Sequence, residues 1–370
     1  MRNYNGKNQS HIREINRQLV LELLKEKPLS CKEMADILHL SNTALSKITH
    51  ELREVNLLKE CTPPEKNEVG RRPIRLEINA DLGCLAVVNL EKFFVKLFDF
   101  AGHILYELTL PSVLIYDIHH LNICINLIKD FLEENDVHCL KAFTVITSGR
   151  TNKDGSFIYA LRYKNPELIN LKKMFEDNFD VPTSVKNDVS LALFSEYQNT
   201  KMQKPQSVIM LYIDKGVGMA FAIDGKVYEG HRGFAGEVGL IKNAQTDDIL
   251  ENIISIRALK KLFENSGKNP TLPEIAQSFI MEEVETFNII NRFAIKVADV
   301  IIDLLLVLDS QEVLINGGIR CLGEGFLEII RQEIAKNQYL KTQISYGKDD
   351  DSTLNGAFLQ AQNLAIANLI

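Results

Sequence analysis

The sequence predicts an α/β chain with a winged helix-turn-helix head, followed by a body in which strands and helices alternate. Three observations carry this reading. The first 80 residues hold three short helices of apolar periodicity, broken by one tight turn and followed by two alternating strands. The body gives three strands and then helix–strand units, and does so twice. Its second round opens with a strand that runs into a glycine turn and a tight Asp224-Gly225 hairpin.

In the head, Ile12, Ile15, Leu19, Val20 and Leu23 form one apolar stripe across His11–Lys27, and Pro28 ends that helix. Ser30 and Glu33 make a capping box for a second helix that buries Met34, Ala35 and Leu38. His39 and Leu40 form the turn, and Ser41 caps the third helix. There Ala44, Leu45, Ile48, Leu52 and Val55 face inward. Ser41, Asn42, Thr43, Ser46, Lys47 and His50 remain outward, as short polar and basic groups able to bond base edges in a major groove. A plain three-helix bundle with a solvated face is the alternative. A strand from Leu57 and its partner Ile74–Ile78 complete a wing whose polar loop closes on Gly70-Arg71-Arg72-Pro73. Arg71 and Arg72 suit a narrow A/T-rich minor groove, or else phosphate contacts from a charged linker.

In the body, Leu85–Asn89, Phe93–Phe98 and Ile104–Leu110 read as a three-strand meander, followed by a helix (118–132) and a strand (141–147). A further helix precedes the strand Thr183–Lys186, which delivers Asn187-Asp188. The strand Val208–Ile213 leads into 214–240, DKGVGMAFAIDGKVYEGHRGFAGEVGL, and a helix is expected over Asp247–Leu262. The strand Glu312–Ile315 ends in the turn Asn316-Gly317-Gly318.

This order and these motifs resemble the ROK family of repressors and sugar kinases, and through it the actin-like ATPase fold. The resemblance implies domains at 1–80, 81–190 and 191–370, with a C-terminal helix packing back on the first lobe. It covers nearly the whole body, and the Gly-Arg-Arg-Pro closure matches the family's winged-helix repressors. It also implies a sugar site. Asp188 matches the family kinases' general base, and Asn187, Glu237, Gly236 and Gly149 match sugar-site positions. A carboxylate suits both sugar hydroxyls and base catalysis, so Asp188 fits a binder as well as an enzyme. For one family Asn, direct spacing reaches Arg162 and a short shift reaches Asn165. Gly317-Gly318 matches an adenosine-side turn, or answers a need for glycine at that bend.

The departures from the family point away from catalysis. Where kinases carry a glycine phosphate turn, this chain has Asn89-Leu90-Glu91-Lys92-Phe93 and Asp214-Lys215-Gly216. Bulk and negative charge there oppose a triphosphate. Leu240 replaces the family's zinc-binding His, and no cysteine lies between Cys139 and Cys321, so no metal and no cofactor are expected. His231 reads as a loop or ligand contact.

Composition bounds the rest. Net charge is −7, yet residues 1–80 hold 14 Lys and Arg against 11 Asp and Glu, a balance of +3 that leaves −10 for the remainder. A weakly basic head on an acidic body fits nucleic-acid binding by the head alone. No apolar run is long enough to span a bilayer, MRNYNGKNQS lacks an apolar leader core, and six scattered cysteines without a C-x-x-C pair read as reduced thiols. The expectation is a cytoplasmic, non-enzymatic repressor. It would bind double-stranded DNA at an A/T-rich inverted repeat as a homodimer or homotetramer, answering to a sugar or sugar derivative. Two alternatives are a sugar kinase with a DNA-binding head and a regulator answering to a protein partner.

Overall fold

The computed structural model describes residues 5–61, 74–152, 154–159, 163–198, 205–243, 246–349 and 351–369. The head comprises α1 (Asn5–Glu26), β1 (Leu29–Ser30), α2 (Cys31–Leu38), α3 (Asn42–Glu54), β2 (Leu58–Cys61) and β3 (Arg75–Ile78). Val20, Leu21, Leu24, Met34, Ala35, Leu45, Ile48 and Leu52 form its core, closed by Leu57, Leu58, Leu76 and Ile78. The sharp turn follows from His39, which ends α2 in the left-handed region at φ 53 with its N–H on the Ala35 carbonyl.

Ile12 and Ile15 do not join this core; both are exposed. A 22-residue helix runs about 33 Å, and partners of 8 and 13 residues cover only part of it. The buried stripe is therefore confined to the C-terminal half of α1.

One polar cluster joins α2 to the wing. The Glu33 carboxylate accepts the Ser30 N–H at 2.8 Å, and the Ser30 hydroxyl accepts the Glu33 N–H at 3.3 Å. Arg75 on β3 reaches the same carboxylate at 2.7 Å and the Pro28 carbonyl at 3.3 Å. Residues 29–30 pair with β3, giving a three-stranded sheet in the order β1-β3-β2.

The body continues with β4 (Cys84–Asn89), β5 (Phe94–Asp99), β6 (Ile104–Thr109), α4 (Ile118–Glu134), β7 (Leu140–Thr147), β8 (Arg150–Thr151), β9 (Phe157–Tyr159), α5 (Leu171–Phe179), β10 (Thr183–Asn187) and α6 (Asp188–Gln198). Then follow β11 (Ser207–Ile213), β12 (Val217–Ile223), β13 (Lys226–Val227), α7 (Glu251–Ile254), α8 (Ile256–Glu264), α9 (Leu272–Ile280), α10 (Val284–Leu308), β14 (Glu312–Asn316), α11 (Gly323–Ala335), β15 (Gln343–Tyr346) and α12 (Ser352–Leu369). Two five-stranded sheets result, in the orders β10-β7-β4-β5-β6 and β13-β12-β11-β14-β15. The chain divides into two compact units, 1–145 with 171–184 and 360–370, and 146–170 with 185–359.

The central strand of the second sheet reads SVIMLYI because both its faces are covered. Ile209, Leu211 and Ile213 pack with α10 residues such as Phe293 and Val297. Val208 and Met210 pack on the other side with Val189, Ala192 and Leu193 of α6. The single helix expected over Asp247–Leu262 is instead α7 and α8. Ser255 sits between them in an extended conformation, and its hydroxyl accepts the Ala258 N–H at 3.1 Å, so a serine that bonds its own backbone restarts the helix.

The Ser30 N–H holds the Glu33 carboxyl below the ordinary value of 4.5; burial opposes this, and the Ser30 hydroxyl, Arg75 and Lys27 add to it. A depressed folded-state pKa gives stability that is present above the unfolded value and lost as pH falls through the folded one. Glu33→Gln is therefore expected to flatten the acid limb of the head's melting temperature below about pH 5. Near neutral pH it is expected to destabilise the head by about 1 kcal/mol, the value of a capping interaction. Thermal melts from pH 3 to 7 measure both effects.

Candidate functional site

On the head, the outward face of α3 is as its periodicity predicts. Ser41, Asn42, Thr43, Ser46, Lys47 and His50 are all exposed, while Leu45, Ile48, Thr49 and Leu52 are buried. Ser41 is committed locally, since its hydroxyl accepts the Ala44 N–H at 3.2 Å. His50 lies 3.7 Å from Glu54 one turn on. Arg71 and Arg72 lie outside the described residues.

The sugar-site candidates all fall in the second unit. Asn187 closes β10 and starts α6, where its side-chain oxygen accepts the N–H groups of Val189 at 3.0 Å and Ser190 at 3.4 Å. Asp188 is the first residue of α6 and also receives the Val189 N–H, at 2.9 Å. A helix N-terminus favours a carboxylate there. Gly218 lets this turn approach β12, because a Cβ at that position would lie 2.9 Å from Val189 Cγ2.

Glu237 is held from the other side by a glycine. Gly236 has φ 94, and a Cβ there would lie 2.1 Å from the Met219 carbonyl oxygen. The backbone of Gly236 in turn accepts the Met219 N–H at 3.1 Å. Only glycine allows both the conformation and the approach.

Sequence reasoning missed Arg150, the residue after Gly149. Its buried guanidinium donates Nε–H to the Glu237 carboxylate, Nη1 to Ser190 Oγ at 3.4 Å and Nη2 to the Met219 carbonyl at 3.3 Å. One side chain thus ties the Glu237 loop to β12 and to the first turn of α6. A second ion pair, Lys186 with Glu229, fixes the opposite end of the same loop. Gly149 donates its N–H to Thr147 Oγ1 at 3.4 Å, and that hydroxyl lies 3.0 Å from Tyr163 OH.

The structure therefore links Gly149, through its neighbour Arg150, to Glu237 and Gly236, and links these to the α6 turn carrying Asn187 and Asp188. Asn165 is different. It is exposed, has φ 50, and makes no hydrogen bond with the other candidates among the described residues. Arg162 lies outside the described residues.

The two turns that the sequence sets against the kinases' phosphate loops are each engaged by side chains. In the first unit, Asn89 Oδ1 accepts the N–H groups of Glu91 at 2.9 Å and Lys92 at 2.8 Å. Leu90 is buried, and its carbonyl accepts the Tyr116 hydroxyl at 3.2 Å. In the second unit, Asp214 Oδ1 accepts the Lys215 N–H at 2.8 Å. Glu251 from α7, also unforeseen, accepts the Val217 N–H at 3.3 Å and is itself paired with Arg257 at 2.6 Å. Backbone N–H groups of both turns are thus engaged by carboxylates and a carboxamide. Tyr212, nearby on β11, has its hydroxyl pushed up to about 12 by burial, with Asp188 and Asp214 adding and Arg320 opposing.

Gly317, at φ 93, is demanded by packing, since a Cβ would lie 2.4 Å from the Ile213 carbonyl oxygen. Leu240 at the family's metal position offers no ligand atom. Among the described residues no group of three His, Cys, Asp or Glu is placed to hold a metal. None of the described helices is long and apolar enough to cross a membrane.

Comparison with known proteins agrees with this architecture. A family model described as ROK family matches residues 88–363. The xylose repressor of Caldicellulosiruptor bescii is 25% identical, over 92% of this chain and 94% of its own length. A crystal structure of a ROK family transcriptional regulator, homolog of the E. coli MLC protein, superposes with a TM-score of 0.78 at 19% identity, covering 97% of this chain and 99% of that one. A ROK family glucokinase from Streptomyces griseus, solved with glucose and AMPPNP, gives a TM-score of 0.62 at 19% identity, over 76% of this chain and 100% of that one.

Removing Arg150 should leave the Glu237 charge half-buried and unpaired. Arg150→Met is expected to cost about 2–4 kcal/mol, below the upper range for truncating a buried pair because Glu237 is partly solvated. Adding Glu237→Gln to Arg150→Met should recover a large part of the loss. Denaturant unfolding of the single and double variants measures the coupling.

Proposed function

The chain belongs to the ROK family, and from that premise we propose that it is a DNA-binding transcriptional repressor of carbohydrate genes whose body senses a sugar without phosphorylating it. The observation that carries this reading is the pairing of two features in one chain. The helix-turn-helix head presents a polar α3 face to solvent, and in each unit of the body the turn expected to hold phosphate has backbone N–H groups already engaged. The similarity to a xylose repressor over nearly its full length favours a sugar effector.

In this reading Ser41, Asn42, Thr43, Ser46, Lys47 and His50 face the major groove. Arg71 and Arg72 enter an A/T-rich minor groove. Asn187, Asp188 and Glu237 hold sugar hydroxyls, with Gly149 and Gly236 giving close backbone approach and Asn165 lying at the margin. Asp188 accepts a hydroxyl hydrogen bond, and without a triphosphate nearby its basicity leads to no transfer.

The response is a linkage effect. A sugar that binds one conformation of the body better than another shifts their populations. In a homodimer or homotetramer that shift changes whether two heads engage both halves of an inverted repeat together, which costs much of the specific affinity when it fails. The setting is the cytoplasm, where operator and sugar are both present.

Footprinting on the protein's own upstream DNA is expected to show an A/T-rich inverted repeat protected, with protection altered by one carbohydrate. Lys47→Ala should weaken binding and reduce its salt dependence by about one counterion. Absence of any protected palindrome would count against the repressor reading. ADP release across hexoses, pentoses and amino sugars should stay at background. Turnover abolished by Asp188→Asn would instead establish a kinase. A ligand present at about 100 times its dissociation constant should raise stability by about 2.7 kcal/mol, which a thermal-shift screen of sugars detects. A silent screen would favour a protein partner.

A further inference from the structure

Two cysteines that the proposed function does not use are held side by side in the first unit. Cys84 opens β4, Cys139 stands one residue before β7, and these strands are neighbours in their sheet. The backbones are locked together, since the Cys84 N–H donates to the Cys139 carbonyl at 2.9 Å. Gly83 permits this contact; at φ 154, a Cβ there would fall 2.4 Å from the same carbonyl oxygen. Adjacent strands run about 4.8 Å apart, within the Cα spacing that a disulfide spans. The Cys139 thiol acts electrostatically on the Cys84 thiol, adding to the effect of burial. Cys139 is exposed and Cys84 is half-buried.

We propose that Cys84 and Cys139 form a reversible disulfide, a thiol modification site that takes a peroxide as its oxidant. Cys139, the exposed partner, reacts first. Its thiolate sulfur attacks one oxygen of the peroxide ROOH, the O–O bond breaks, and RO⁻ leaves and takes a proton to give ROH. Cys139 is then a sulfenic acid. The Cys84 thiol gives up its proton and attacks that sulfur. The S–O bond breaks, and the departing hydroxide leaves with the proton as water. Two thiols have lost two electrons and two hydrogens, and the peroxide has gained them. A dithiol reverses the change by exchange.

The division of roles follows from the surroundings. Burial pushes the Cys84 thiol up to about 11, with the Cys139 thiol and then Asp99 adding to the shift. At neutral pH it is a poor first nucleophile. As a resolving thiol it needs only proximity, and the fold has already closed the intervening loop. Disulfides in reducing compartments are usually of this sensing kind.

The test uses the full-length reduced protein, treated with hydrogen peroxide, quenched, denatured and alkylated with N-ethylmaleimide. The expected result is a mass loss of about 2 Da before alkylation, for the two hydrogens removed. Peptide mapping should find Cys84 linked to Cys139, with both thiols alkylated again after dithiothreitol. Cys124→Ser should leave the link intact, and Cys84→Ser should let Cys139 proceed to sulfinic acid. In the wild-type protein, Cys139 or Cys321 reaching sulfinic acid while Cys84 remains alkylated would overturn the proposal. So would a different pairing.

Discussion

The Arg150 guanidinium is the constraint on which the candidate site depends. The loop from Glu229 to Glu237 is rich in glycine, with Gly230, Gly233 and Gly236 all at positive φ. Such a segment loses much conformational entropy when it becomes ordered. Two ion pairs offset that loss, one at each end. Lys186 takes Glu229, and Arg150 takes Glu237 while also bonding Ser190 and the Met219 carbonyl. An ion pair neutralises a carboxylate without consuming all of its acceptor capacity. Glu237 can stay bound to Arg150 through one oxygen and present the other to a hydroxyl.

Two further turns, at residues 89–93 and 214–217, show the same logic of internal satisfaction. A phosphate turn works when its N–H groups point outward with no partner. In this chain Asn89 folds its carboxamide over the N–H groups of Glu91 and Lys92, and Glu251 takes the Val217 N–H from a different helix. In the second unit, a phosphate at this turn would have to displace the Glu251 carboxylate and sit beside Asp214, both acidic. These local bonds stabilise both turns in their present shape.

Much of the architecture was legible in the sequence because its signals are local. The Ser30-Glu33 capping box, the αL turn at His39 and the Asp224-Gly225 hairpin are each written within four residues. What escaped was tertiary. Arg150 and Glu237 are 87 positions apart, and nothing about an arginine after a glycine announces a buried clamp. Glu251 reaches a turn 34 residues away. Ile12 and Ile15 continue a correct helical period, but the period does not reveal that the neighbouring helices are too short to cover it. Ser255 broke an expected helix because a serine suits a helix interior weakly and a cap strongly. The wing arginines fall outside the described residues.

Helix α6 is where the separate observations converge. Its first turn begins at Asp188, directly after Asn187, and receives Arg150 through Ser190. Its middle meets α12 so closely that a Cβ on Gly356 would lie 2.0 Å from the Leu191 carbonyl oxygen. Thr353 of α12 donates to the Asp188 carbonyl at 3.4 Å, and Ser195 donates to Asp349 in the loop before α12 at 3.1 Å. Two helices in backbone contact at a glycine cannot slide independently, because no flexible side chain lies between them to absorb the motion. A displacement of the first turn of α6 therefore acts on α12 as well. The last residues of α12 belong to the unit that includes the head, where Gln362 donates to the Phe100 carbonyl at 2.7 Å. Helix α12 thus runs by chain continuity from its contacts with α6 into that unit.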